Sequence, residues 1–145
     1  MTTFNVPCTL TKHHFVARVF ENKKEMYAYY IYFSKTFKAK KTLRKMNFGA
    51  IVMPYERYKF VGKKRVAVKS KDIGEILFYK DRMGAGIVAH EMGHAAMFWD
   101  RHIKGNAAAC YGTTISSAEE RMLMCLYHLV RNFTNKCHRL GLYPE

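Results

Sequence analysis

Hydrophobic and polar positions alternate, cluster or recur at helical spacing in an order that predicts strands first and two long helices last. Phe15-Val16-Ala17-Arg18-Val19-Phe20 is a short β-branched and aromatic run that reads as a strand ending at Glu21-Asn22. From Glu25 to Phe33, Met26, Tyr29, Tyr30 and Phe33 fall at helical spacing behind Asn22 as a cap. That spacing predicts a helix; its Tyr and Ile content leaves a strand as the alternative. Gly49 to Met53 is a short apolar strand stopped by Pro54. Tyr58-Lys59-Phe60 and Val66-Ala67-Val68 flank Gly62-Lys63-Lys64, which predicts a hairpin. Ile73 to Tyr79 is a further strand, and Met83-Gly84-Ala85-Gly86 connects it to the helical half of the chain.

The first long helix is expected from about Ala85 to Arg101, with Gly105-Asn106 ending its neighbourhood. Ala107 to Tyr111 and Gly112-Thr113-Thr114 then read as a crossing loop. The second long helix starts at Ser116 or Ser117, since Ser116-x-x-Glu119 and Ser117-x-x-Glu120 both fit a capping box. It stops after Leu140, where Gly141 suits the position beyond the last helical turn and Pro144 comes soon after. The elements predict one α+β domain over residues 1–145, with a small, twisted, mostly antiparallel N-terminal sheet packed on the two helices.

Composition narrows the class. Of 145 residues, 49% are hydrophobic and 14% aromatic, which excludes a disordered or low-complexity chain. Met1 to Pro7 has no basic segment leading into an apolar one, and nothing later approaches the roughly 20 apolar residues of a membrane span. A cytoplasmic protein with no membrane partner is expected. Cys8, Cys110, Cys125 and Cys137 have neither C-x-x-C spacing nor a dense framework, so they read as reduced thiols.

The net charge of +14 raises nucleic acid as a partner. Its distribution matters more than its size. Residues 1–82 carry 19 Lys/Arg against 6 Asp/Glu, and residues 83–145 carry 6 against 5. The densest run, Lys35 to Lys45, is anchored by Phe37 and Leu43; it suits either a solvated surface or an acidic polymer. Phe37, Tyr55 and Tyr58 among the lysines add stacking surfaces to the basic half.

The chemistry concentrates at His90-Glu91-Met92-Gly93-His94. Four residues apart on a helix, two imidazoles project from one face about one turn apart and can share a metal ion. A carboxylate beside them suits a base that takes a proton from water. The flanks Ile87, Val88, Ala89, Met92, Gly93, Ala95 and Ala96 are uncharged, as a largely buried helix requires. With His90 at zero on the wheel, Val88, Met92, Ala95, Ala96 and Trp99 fall on the opposite, core-facing side, leaving the histidines to line a cleft.

A third ligand is sought on the second long helix. With Glu119 at zero, Leu123, Leu126, Val130, Phe133 and Cys137 lie within about forty degrees of it, so Glu119 is expected at the head of a buried stripe. Glu120 lies about 100° away and serves as the alternative ligand, a capping partner or an acid behind the site. Asp100 and His102 point away from the histidine face in a continuous helix, and His128 lies opposite Glu119.

Val88-Ala89-His90-Glu91-Met92-Gly93-His94-Ala95-Ala96 resembles the extended signature of the zincin metallopeptidases, and a later helical Glu resembles the gluzincin branch. The likeness covers about residues 73–135. It implies a zincin-like fold, Zn²⁺ held by His90, His94 and Glu119 or Glu120, Glu91 as general base and then acid, and a protein or peptide substrate. It also implies that the strand Ile73 to Tyr79 is the edge along which an extended peptide pairs. Ser117-Ala118-Glu119-Glu120-Arg121-Met122 departs from the longer gluzincin pattern, which leaves the two acids open. Tyr111 or Arg101 is nominated as the donor to a developing oxyanion, with an ion pair to Glu120 the alternative role of Arg101. The competing reading is a basic nucleic-acid-associated or mobile-element interaction protein with a structural metal site.

Overall fold

In the computed structural model the described residues are 1–34, 49–55, 58–67, 71–103 and 118–142. The aromatic run after His13 forms β2 (His14–Phe20), and the apolar runs before Pro54 and Lys80 form β3 (Ala50–Pro54) and β6 (Asp72–Tyr79). A strand outside the predicted set, β1 (Thr2–Pro7), buries Phe4 and Val6 and leaves the alternate positions to solvent. The four join as β1-β2-β6-β3. β1 and β3 run antiparallel to their neighbours, while β2 and β6 are parallel, so the sheet is mixed.

β6 is therefore interior, paired with β2 on one side and β3 on the other, and is not the edge strand expected for Ile73 to Tyr79. Its sequence carries the reason. Ile76-Leu77-Phe78-Tyr79 is apolar at every position, and all four side chains are buried because both faces of the strand are covered. A register shift between His14 and Phe15 leaves Ile73 without a partner on β2, so Ile73 and Ile76 reach the same core despite being three apart.

One face of the sheet packs on α2 (Ala85–Ile103) and α3 (Ala118–Leu140). Phe4, Val6, Phe15, Ala17, Val19, Ile76 and Phe78 meet Val88, Met92, Trp99, Leu129 and Phe133 there. The other face packs on α1 (Lys23–Ser34), where Met26 is buried with Phe20, Ile51, Leu77 and Tyr79. The helical reading of this segment holds, and its start is as expected: Asn22 Oδ1 accepts the Glu25 backbone N–H at 3.0 Å. On this face Glu75 is buried on β6, where Arg18 Nε and the Tyr29 hydroxyl, the latter at 2.5 Å, both donate to its Oε1.

β4 (Tyr58–Val61) and β5 (Lys64–Ala67) form the expected hairpin around Gly62, which adopts φ 65°. The end of α3 is also as expected. Gly141 adopts φ 65°, its N–H reaches the His138 carbonyl at 3.3 Å, and the Leu142 N–H reaches that of Cys137 at 3.0 Å. The basic run 35–45, the loop 107–114, the capping serines 116 and 117, and Pro144 lie outside the described residues. Among the described residues no helix is long and apolar enough to cross a membrane.

Candidate metal centre

α2 begins after the Met83–Gly86 connection, with the Val88 N–H bonded to the Gly84 carbonyl at 3.1 Å. It buries Val88, Met92, Ala95, Ala96, Trp99 and Ile103, a stripe three to four residues apart that seats one side of the helix on the sheet. The opposite side carries His90 and His94, as the wheel requires. Trp99 locks the rotation of the helix: its Nε1–H donates to Thr11 Oγ1 at 2.9 Å in the segment after β1.

The two imidazoles meet across one turn. Their Nε2 atoms are 3.2 Å apart and the rings stand edge to face at 81°. Tetrahedral zinc with Zn–N bonds of about 2.0–2.1 Å needs two coordinating nitrogens about 3.3 Å apart, so the pair fits two corners of such a sphere. An N–H···N hydrogen bond between one protonated and one bare nitrogen fits the same distance. His90 is exposed, while His94 and Glu91 are half-buried. Burial pushes the Glu91 carboxyl above the ordinary carboxylate range, and the neighbouring His90 charge partly opposes that shift.

His90, Glu91 and His94 open onto a cleft of about 300 Å³. Its other walls are Ala50, Ile51 and Val52 of β3, Phe98 one turn along α2, and Tyr30 of α1. Sequence pattern does not nominate these five. Nothing local couples residue 30 or residues 50–52 to residue 90. They reach the cleft because β3 is, among the described residues, an outer strand of the sheet and α1 covers the opposite face beside it.

The nominated third ligands sit elsewhere. Glu119 and Glu120 occupy the first turn of α3 and both are exposed. Of the expected stripe, Phe133 and Cys137 are buried and Leu126 and Val130 are half-buried against the core, but its head is corrected: Leu123 is exposed like Glu119, and the buried row is Cys125, Leu129, Phe133 and Cys137. Steps of four residues advance about 40° beyond a full turn, so this row winds around the helix and leaves Glu119 outside it. Among the described residues, no three His, Cys, Asp or Glu side chains converge in a way that could hold a metal ion. The described structure thus assembles two histidines and one carboxylate, without a third ligand.

The remaining nominees have other partners. Asp100 accepts from Arg121 Nε at 3.1 Å and ties α2 to α3. Arg101 lays its guanidinium 5.6 Å from the centre of the Phe98 ring. His102 stacks edge-on against His13 at 4.9 Å, and His128 Nδ1 contacts Thr9 Oγ1. Tyr111 lies outside the described residues. Comparison with protein-family models, with curated proteins and with solved structures finds no match to this chain.

Proposed function

We propose that this chain is a zinc-dependent metallopeptidase of zincin type, in which His90 and His94 would hold Zn²⁺ and Glu91 would be the general base; Glu119 or Glu120, exposed on the first turn of α3 in the described structure, would have to move to the pair to complete the sphere. The observation that carries the reading is the 3.2 Å separation of the two Nε2 atoms, beside a half-buried carboxylate at the wall of a cleft. When bound, Zn²⁺ supplies a Lewis acid that polarises a carbonyl and makes water nucleophilic near neutral pH.

The chain's own groups manage protons and position. Glu91 takes the proton that the attacking water gives up and hands it to the leaving amine nitrogen. Burial raises its proton affinity above that of an ordinary carboxylate, which favours its taking the proton. β3 takes over the role expected of Ile73 to Tyr79. Among the described residues it pairs with β6 alone, so its free edge can receive an extended peptide through backbone hydrogen bonds. Tyr30 and Phe98 flank that edge and favour an apolar side chain next to the scissile bond.

Glu91→Gln keeps the shape and removes the base. It is expected to retain zinc, measured by elemental analysis of purified protein, and to lose peptide cleavage by about 10²–10⁴-fold. His90→Ala is expected to lose both zinc and cleavage. Comparing zinc content in Glu119→Gln and Glu120→Gln identifies the third ligand. Cleavage by Glu91→Gln at the parent rate, or a folded parent protein that neither retains nor takes up zinc, overturns the proposal.

A further inference from the structure

The β4–β5 hairpin carries a second surface, built from different residues. Its strands pair with each other as a separate two-stranded sheet rather than extending the four-stranded one. Residues 58–67 hold four Lys/Arg, at Lys59, Lys63, Lys64 and Arg65, with no Asp/Glu among them. Next to the turn, Phe60 is 74% exposed and Val61 is 60% exposed. Gly62, Lys63 and Lys64 are exposed beside them. The register sets Phe60 opposite Arg65 and Val61 opposite Lys64, so each exposed apolar position has a cationic residue across the ladder.

Isolated apolar residues on a surface are ordinary. Here an exposed phenyl ring lies in a stretch without acids, within the half of the chain where 19 Lys/Arg face 6 Asp/Glu. That combination calls for a polyanion with flat apolar faces. An acidic peptide satisfies the charge but offers no regular series of planar rings. A duplex keeps its base faces stacked on one another, beyond the reach of Phe60. An unpaired strand presents both phosphates and free base faces. We propose that the β4–β5 hairpin is a contact for single-stranded nucleic acid, with Phe60 a stacking platform for an unpaired base and Lys63 and Lys64 phosphate contacts.

The test titrates the full chain against a fluorescein-labelled oligodeoxythymidylate of about 15 nucleotides, read by anisotropy at salt from about 50 to about 300 mM. The logarithm of affinity should fall linearly with the logarithm of salt concentration. Phe60→Ala should weaken binding about tenfold with the slope unchanged, and Phe60→Trp should restore it. Lys63→Gln with Lys64→Gln should make the slope shallower by about 1.4. Circular dichroism checks that each variant is folded. Absence of salt-sensitive binding, parental affinity and slope in the hairpin variants, or equal loss of duplex and single-strand binding on removing the ring overturns the proposal. So does hairpin-dependent binding to phosphatidylserine vesicles without binding to the oligonucleotide. Zinc content and cleavage should be unaffected by these substitutions, so this test and that of the metal centre fail separately.

Discussion

Trp99 shows how one side chain sets the site. Fully buried, it spans from α2 to the segment after β1 and ends in the hydrogen bond to Thr11 Oγ1. Trp99→Phe keeps most of the apolar volume and removes that donor. It should cost about 1–2 kcal/mol in urea unfolding. Titration supplies a second test at this scale. Burial pushes the Cys137 thiol from 9.0 up to about 12, and burial with the charge of Glu75 pushes the Tyr55 phenol from 10.0 up to about 12. The unfolded chain releases these protons at lower pH than the folded one. Their contribution to stability is therefore complete below about pH 9 and is lost as pH rises from there through about 12. Urea midpoints measured across that window should fall, and Cys137→Ala should fall less steeply. Glu75 itself is not conspicuous in the sequence. A lone acid in a strand gives no sign of the Arg18 and Tyr29 groups that a neighbouring strand and a helix bring to it.

Local rules are most legible where an element ends. Gly141 closes α3 in a conformation that costs any residue with a Cβ, and its N–H and that of Leu142 cap two carbonyls. Gly141→Ala should lower stability by about 1 kcal/mol in thermal or urea unfolding. The cap at Asn22 is equally readable, because a side-chain oxygen three residues ahead of an unpaired N–H is a sequence-local arrangement. Strand β1 is harder. It is short, ends in Pro7, and buries only alternate residues, so its pattern is weak until β2 lies beside it. The burial of α3 departs from the wheel for a related reason. A helical wheel projects along a straight axis, whereas the buried row winds from Cys125 to Cys137.

For the whole molecule, the sheet divides two cores of unequal size. Phe133 sits at the centre of the larger one, its ring 4.8 Å from that of Phe78 and 5.7 Å from that of Phe4. Phe133→Ala should cost about 3–5 kcal/mol by denaturant unfolding, since it empties the contact between α3 and two strands. The same layering explains the cleft. α2 lies on one face, α1 on the other, and the edge strand β3 between them gives the site walls from all three layers.

What the sequence alone determined is whatever repeats within a single element. His90 and His94 share a face opposite Val88, Met92 and Trp99 because each residue of a helix turns the chain by about 100°, and that holds wherever the helix packs. The hairpin around Gly62 and the helix stop at Gly141 arise from equally local backbone demands. Tertiary structure decided which strand is the edge, that Glu119 is exposed, and that Tyr30 reaches the cleft. These depend on which elements become neighbours, and the same hydrophobic pattern is compatible with several strand orders. The run Ile76 to Tyr79 did carry the signal of an interior strand, in its lack of any polar alternation. Only the pairing with β2 and β3 turned that signal into a position.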